Sequence, residues 1–239
     1  MEKLASTPAR PILALAALGL LLGRAHAAEP PTLTDTVWVQ KAPGFADVVA
    51  AYPPAARAKG LAGEATLDCA FDAAGRLNHC QTINERPMGS GFAKAAIGLA
   101  GRFEGRAHLP NGHSIAGARA QVRIRFAPDM LNGSTVLNPE WAALPTPAQF
   151  QGAFPEAAAK AGVLQARAAM SCTVEADGGL AACTAASEEP AGYGFGAATL
   201  PLAPLFRVKL WGADGRPVVG GVVRVPIRYD LTQAKPAKP

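Results

Sequence analysis

The chain has 239 residues, of which 49% are apolar and 17% charged, with a formal net charge of +5. Such a composition excludes an intrinsically disordered chain, which would be poorer in apolar residues and richer in charge. It also lacks the cluster of arginine and lysine with interleaved aromatics that marks a nucleic-acid binder. The length allows one large domain or two ordinary ones.

The first 27 residues read as a secretory signal peptide. MEKLASTPAR is short and basic, PILALAALGLLLG is an apolar run, and Ala25-His26-Ala27 supplies small residues where a signal peptidase needs them. Cleavage is expected between Ala27 and Ala28. An uncleaved anchor is the competing reading, but a membrane span needs roughly 20 apolar residues, more than this run provides. An exported, periplasmic protein is the expectation, with residues 28–37 as a short N-terminal segment.

Sliding the remainder on itself by 103 residues exposes an internal repeat. Trp38 meets Trp141, Cys69 meets Cys172, Gly75 meets Gly178, Cys80 meets Cys183, and Glu85 and Pro87 meet Glu188 and Pro190. Gly91-Phe92 meets Gly194-Phe195, Phe103 meets Phe206, and Val122, Ile124 and Arg125 meet Val225, Ile227 and Arg228. About a third of positions 69–126 are identical to their counterparts without a gap. A period this long is that of a small domain, not of a solenoid unit. The expected layout is domain 1 at 38–128, a linker at 129–140, domain 2 at 141–231, and a Lys/Pro tail at 232–239.

Within domain 1 the elements follow in order. Pro53 and Pro54 suit the start of a short helix and Gly60 its stop. At 64–71, Ala65, Leu67, Cys69 and Phe71 alternate with more polar residues, the period of a half-buried strand. Ala74-Gly75, like Asp177-Gly178 in domain 2, reads as a two-residue hairpin turn. A returning strand over 76–83 follows. Phe92, Ala96, Leu99 and Phe103 then recur at helical spacing, and 118–126 closes the unit as a strand. The fold class is α+β: two tandem domains, each a small antiparallel sheet with two helices on one face, in the order α-β-β-α-β.

The only four cysteines are Cys69, Cys80, Cys172 and Cys183. In an exported protein a disulfide framework is the default, with buried thiols or metal ligation as alternatives. A two-residue turn places Cys69 opposite Cys80, and Cys172 opposite Cys183, within bridging range. A three-residue loop with a glycine bulge would put them out of phase unless a second bulge restored the register. Each bridge would contribute about 3 kcal/mol on a loop-entropy basis.

YPPAARAKGLAGEATLDCAFDAAGRLNHCQTINERP, GFAKAAIGLAGRFE and VRIRF together resemble the C-terminal domain of TonB proteins, and FPEAAAKAG, VEADGGL, PLFRV and VRVPIRY repeat the resemblance in domain 2. The likeness covers about four-fifths of the mature chain. It implies a module that binds partner segments by adding a strand to an open sheet edge. A TonB energy transducer keeps its N-terminal helix in the membrane and carries a long proline-rich span, whereas here only residues 28–37 separate cleavage from the first domain.

The candidate edges are the last strand of each domain, with Gln121, Arg123 and Arg125 in the first and Arg224 and Arg228 in the second. Pro226 removes a donor, as suits an edge strand. The alternative for these arginines is simple solvation of an exposed strand. An enzyme is not expected: His79, His108 and His113 have no histidine counterparts, Ser90 and Ser114 sit in no nucleophile-elbow pattern, and Glu85 and Glu188 read as caps more readily than as general bases. The expected function is therefore a non-enzymatic module for an unidentified protein partner in the cell envelope. No cofactor, metal, nucleic acid or small-molecule substrate is inferred, and membrane contact is expected only if the N-terminal segment is retained. The alternatives are a membrane-anchored energy transducer for outer-membrane transport and a glycan binder using Trp38 and Trp141 as platforms.

Overall fold

The computed structural model describes residues 32–108, 112 and 114–232. The first half runs β1 (Thr32–Leu33), β2 (Val39–Lys41), α1 (Phe45–Ala51), α2 (Pro54–Ala58), β3 (Gly63–Phe71), β4 (Leu77–Arg86), α3 (Phe92–Ala100), β5 (Glu104–Gly105) and β6 (Arg119–Phe126). A 3-10 turn at Pro128–Leu131 leads to β7 (Trp141–Ala143), α4 (Pro147–Gly152), α5 (Glu156–Lys160), β8 (Gln165–Val174), β9 (Leu180–Glu189), α6 (Phe195–Thr199), a second 3-10 turn at Leu200–Leu205, β10 (Arg207–Val208) and β11 (Val222–Asp230). The result is a mixed α+β chain with several small sheets. The signal segment, its cleavage site at Ala27 and Ala28, and most of the Lys/Pro tail lie outside the described residues.

The main sheets have the orders β1-β6-β3-β4 and β11-β8-β9. Alternation drives both. Ala65, Leu67, Cys69 and Phe71 of β3 are buried, as are Val223, Val225, Ile227 and Tyr229 of β11, with the intervening residues turned outward. α3 covers β3 and β4, and α6 covers β8 and β9. Pairing of β3 with β6 and of β8 with β11 is antiparallel and unbroken in register. The expected all-antiparallel sheet needs one correction, since β1 lies parallel to β6, pairing Thr32 with Arg119. In the second half Thr135 bridges Val222 in the same parallel sense. Both positions are displaced by the sequence period, so the structural similarity starts upstream of Trp38 and Trp141. Part of the expected linker is therefore paired with the second sheet.

The hairpins also differ from the two-residue expectation. Asp72 N–H bonds to Arg76 O (2.9 Å) and Gly75 N–H to Asp72 O (3.0 Å), leaving a three-residue loop with Gly75 at φ 78°. A side chain on Gly75 would run into the Gly105 carbonyl, and one on Gly178 into that of Val208. That loop shifts the strands out of phase. A bulge at His79 (φ 46°), matched by Ala182 (φ 48°), brings them back. Cys69 and Cys80 then stand at a Cα–Cα distance of 4.0 Å with sulfurs 2.05 Å apart, and Cys172 and Cys183 at 4.1 Å and 2.09 Å.

Each half packs three aromatic rings under its sheet: Tyr52, Phe92 and Phe126 in the first, and Phe154, Phe195 and Tyr229 in the second. The hydroxyl has changed places between them. Tyr52 donates to Leu61 O at 2.8 Å, whereas the Tyr229 hydroxyl is buried without a partner among the described residues and burial pushes its pKa up to about 12. An unpaired buried hydroxyl is a standing cost, and a paired one is a small gain. Tyr229→Phe is expected to be neutral or to stabilise by up to about 1 kcal/mol, while Tyr52→Phe costs about 1 kcal/mol. Urea denaturation of the two variants checks this, and a loss of stability in Tyr229→Phe would contradict it.

Candidate functional site

The two terminal strands have different neighbours. β6 is flanked by β3 on one side, and on the other β1 covers Arg119 and Ala120. Further along that outer side, Trp211 Nε1–H donates to Arg123 O (3.1 Å) and Arg125 N–H donates to Gly215 O (2.8 Å). Gln121, Arg123 and Arg125 therefore belong to a strand whose outer side is largely occupied, so the expected open edge there is corrected. The occupant is a turn of the second half, closed by a bridge between Trp211 and Pro217. Trp211 is 1% exposed and stacks edge-on against Phe103 at 4.8 Å, inside the first half's core beside Trp38. Gly215 lies so close to β6 that a Cβ would come within 3.0 Å of Arg123 O. An ion pair from Arg216 to Asp129 and a bond from Phe45 N–H to Val219 O (3.0 Å) complete the seam.

Among the described residues, β11 is covered only at its start. Val222 N–H bonds to Ser134 O (2.7 Å), and Val222 O accepts from Val136 N–H (2.9 Å). Because alternate residues of an antiparallel strand bond to opposite sides, these bonds set Arg224, Pro226 and Arg228 to face outward as well. Among the described residues no backbone group pairs with them. Pro226 costs the ladder nothing, since the N–H it lacks would point away from β8. The other long edges, β4 and β9, each carry two register shifts, which twist a strand away from pairing. β11 has none against β8. Among the described residues it is the long, regular, open edge.

Other candidates are dispersed. His79 is exposed in its bulge and His108 is exposed beside Ser114, while His113 and His26 lie outside the described residues. Ser114 Oγ accepts from Ala116 N–H. Among the described residues no group of three or more His, Cys, Asp or Glu is placed to hold a metal, and no helix is long and apolar enough to cross a membrane. Trp38 is 1% exposed and offers no platform, while Trp141, half-buried, packs on Phe206 at 5.3 Å.

Glu85 and Glu188 cap helices. Glu85 accepts from Ala93 N–H and Gly89 N–H, both at 3.1 Å, and Glu188 accepts from Gly196 N–H (2.6 Å) and Gly192 N–H (2.8 Å). The Ala93 and Gly196 amides, foremost among these donors, hold the two carboxyls below the usual glutamate range. The site residue that the sequence pattern missed is Trp211. Its signal was a tryptophan at a glycine-flanked turn where the first half has His108.

No family model matches the chain. Over 64 residues it is 38% identical to an uncharacterized protein of Caulobacter vibrioides (strain ATCC 19089 / CIP 103742 / CB 15), a match covering 27% of this chain and 64% of that protein's length. A solved structure of the TonB2 protein from Vibrio anguillarum aligns with 53% of this chain and 96% of its own, at 17% identity and a TM-score of 0.26.

Two outcomes are expected. A depressed carboxylate pKa contributes stability above the unfolded-state pKa of about 4.3 that is lost as pH falls through the folded value. Glu85→Gln/Glu188→Gln should therefore show a shallower fall of Tm between neutral pH and about pH 3 than the parent chain; equal slopes would refute the caps' contribution. Trp211→Ala should cost about 3–5 kcal/mol and release the Arg125 amide to hydrogen exchange while Leu67, in the middle strand, stays protected.

Proposed function

We propose that this chain is an exported, non-enzymatic binding module built of two tandem TonB-C-like repeats, which takes up an extended segment of a cell-envelope protein by strand addition on the outer side of β11. The observation that carries this is the contrast between the two terminal strands: β6 has its outer groups bonded by Trp211 and Gly215, whereas β11 offers Arg224, Pro226 and Arg228 unpaired and in regular register. Main-chain bonds to such an edge supply affinity, and alternate side chains supply selectivity. Two cysteine pairs at disulfide distance fit an oxidising compartment. The dispersal of the histidines and the capping role of both glutamates favour binding over catalysis.

Because the Arg228 amide points away from β8, Arg228→Pro removes an edge donor and leaves the sheet's own ladder intact. A bound envelope protein should protect the amides of 224–230 from exchange in the wild-type chain. Arg228→Pro should weaken its binding at least about tenfold, the equivalent of roughly 1.4 kcal/mol, with Tm nearly unchanged. A partner that binds both forms equally and protects other segments would sink the proposal.

A further inference from the structure

The two sheets carry the same cross-strand row with different charges. In the first sheet the row reads Arg86 on β4, Glu64 on β3 and Arg125 on β6, alternating in sign, with Arg125 Nη2 3.4 Å from Glu64 Oε2. One period later it reads Glu189 on β9, Arg167 on β8 and Arg228 on β11. Glutamate has been replaced by arginine at the centre. Arg167 and Arg228 are now direct register partners, both exposed, and like charges in that position repel. Among the described residues neither guanidinium has a hydrogen-bonded acceptor. The nearby carboxylates are Glu189, directly opposite Arg167 but one strand removed from Arg228, and Asp230, which feels the charge of Arg228 but is bonded to Gln165 and Thr232. Gln165, Arg167, Glu189, Pro190 and Arg228 line an open concavity of about 400 Å³.

We propose that the segment taken up by β11 is acidic, with a carboxylate placed opposite Arg228. This rests on the strand-addition reading. A residue added beside Arg228 falls in the same row, which becomes negative, positive, positive, negative. Reach is not a difficulty: Arg224 already extends across β8 to bond Ser187 Oγ on β9 at 2.8 Å, so Arg167 can lean across β11 in the same way. The backbone of Arg224 faces the same edge four residues from Arg228, so a second acid four residues from the first would draw its guanidinium back from Ser187. The residue between them, opposite Pro226, finds a carbonyl and no donor. The first half needs no such ligand, because Glu64 holds the Arg125 guanidinium and Gly215 holds its amide.

The test uses full-length mature chain and labelled Thr/Val peptides bearing two residues four apart as glutamate, glutamine or lysine. The glutamate probe should bind about tenfold more tightly than the glutamine probe, from two favourable cross-strand charge pairs. Arg228→Glu should reverse the order in favour of lysine, while Arg57→Glu, an exposed cation elsewhere, should not. Equal binding of glutamate and glutamine probes would overturn the acidic preference and leave strand addition standing. A glutamate probe that binds as tightly after N-methylation of alternate amides would overturn strand addition itself. Failure of every probe to bind would overturn both.

Discussion

Burial of the Trp211 indole organises the molecule. It brings the turn at Trp211–Pro217 into the core of the other half, and the Gly215 carbonyl and the indole N–H then take up backbone groups that β6 would otherwise leave unpaired. A large apolar side chain moved out of water supplies the driving force, and the hydrogen bonds give it direction. Two similar units thereby acquire different surfaces. Without this contact both terminal strands would be equivalent edges; with it, the asymmetry between β6 and β11 follows.

The repeat persists in its backbone and diverges in its side chains. Loop length, bulge position and cysteine geometry coincide across the two halves. The tyrosine hydroxyl, by contrast, has moved from the helix start to the last strand, and the central glutamate of the charged row has become arginine. Backbone geometry is constrained by every neighbour in the ladder. An exposed side chain answers only to what lies beside it, so charge is where two copies drift apart with least effect on folding.

Much of this was legible in the sequence. The repeat, the order of the main elements and the cysteine pairs follow from apolar alternation and spacing, which depend on local backbone period. The hairpin was half-legible: a glycine midway between cysteines marks a turn, but a two-residue turn and a three-residue loop with a later bulge at His79 satisfy the same spacing. The short strand at Thr32 and the bridge at Thr135 were missed because their pairing is made with residues almost ninety positions away. The occupied edge at Arg123 and Arg125 was missed for a related reason. It depends on Trp211, a residue outside the repeated pattern, and self-comparison of a sequence is blind to whatever is not repeated.

The unbroken register between β8 and β11 has a mechanical consequence. A segment held along β11 and pulled along its own direction would load the bonds of that ladder side by side, in shear, where they must yield together instead of opening one after another. β8 is in turn tied to β9 through Cys172 and Cys183. Tension entering at the edge would thus pass to the middle of the sheet and stop at a covalent tie. Under the strand-addition proposal, such an arrangement would resist lengthwise pull far better than peeling.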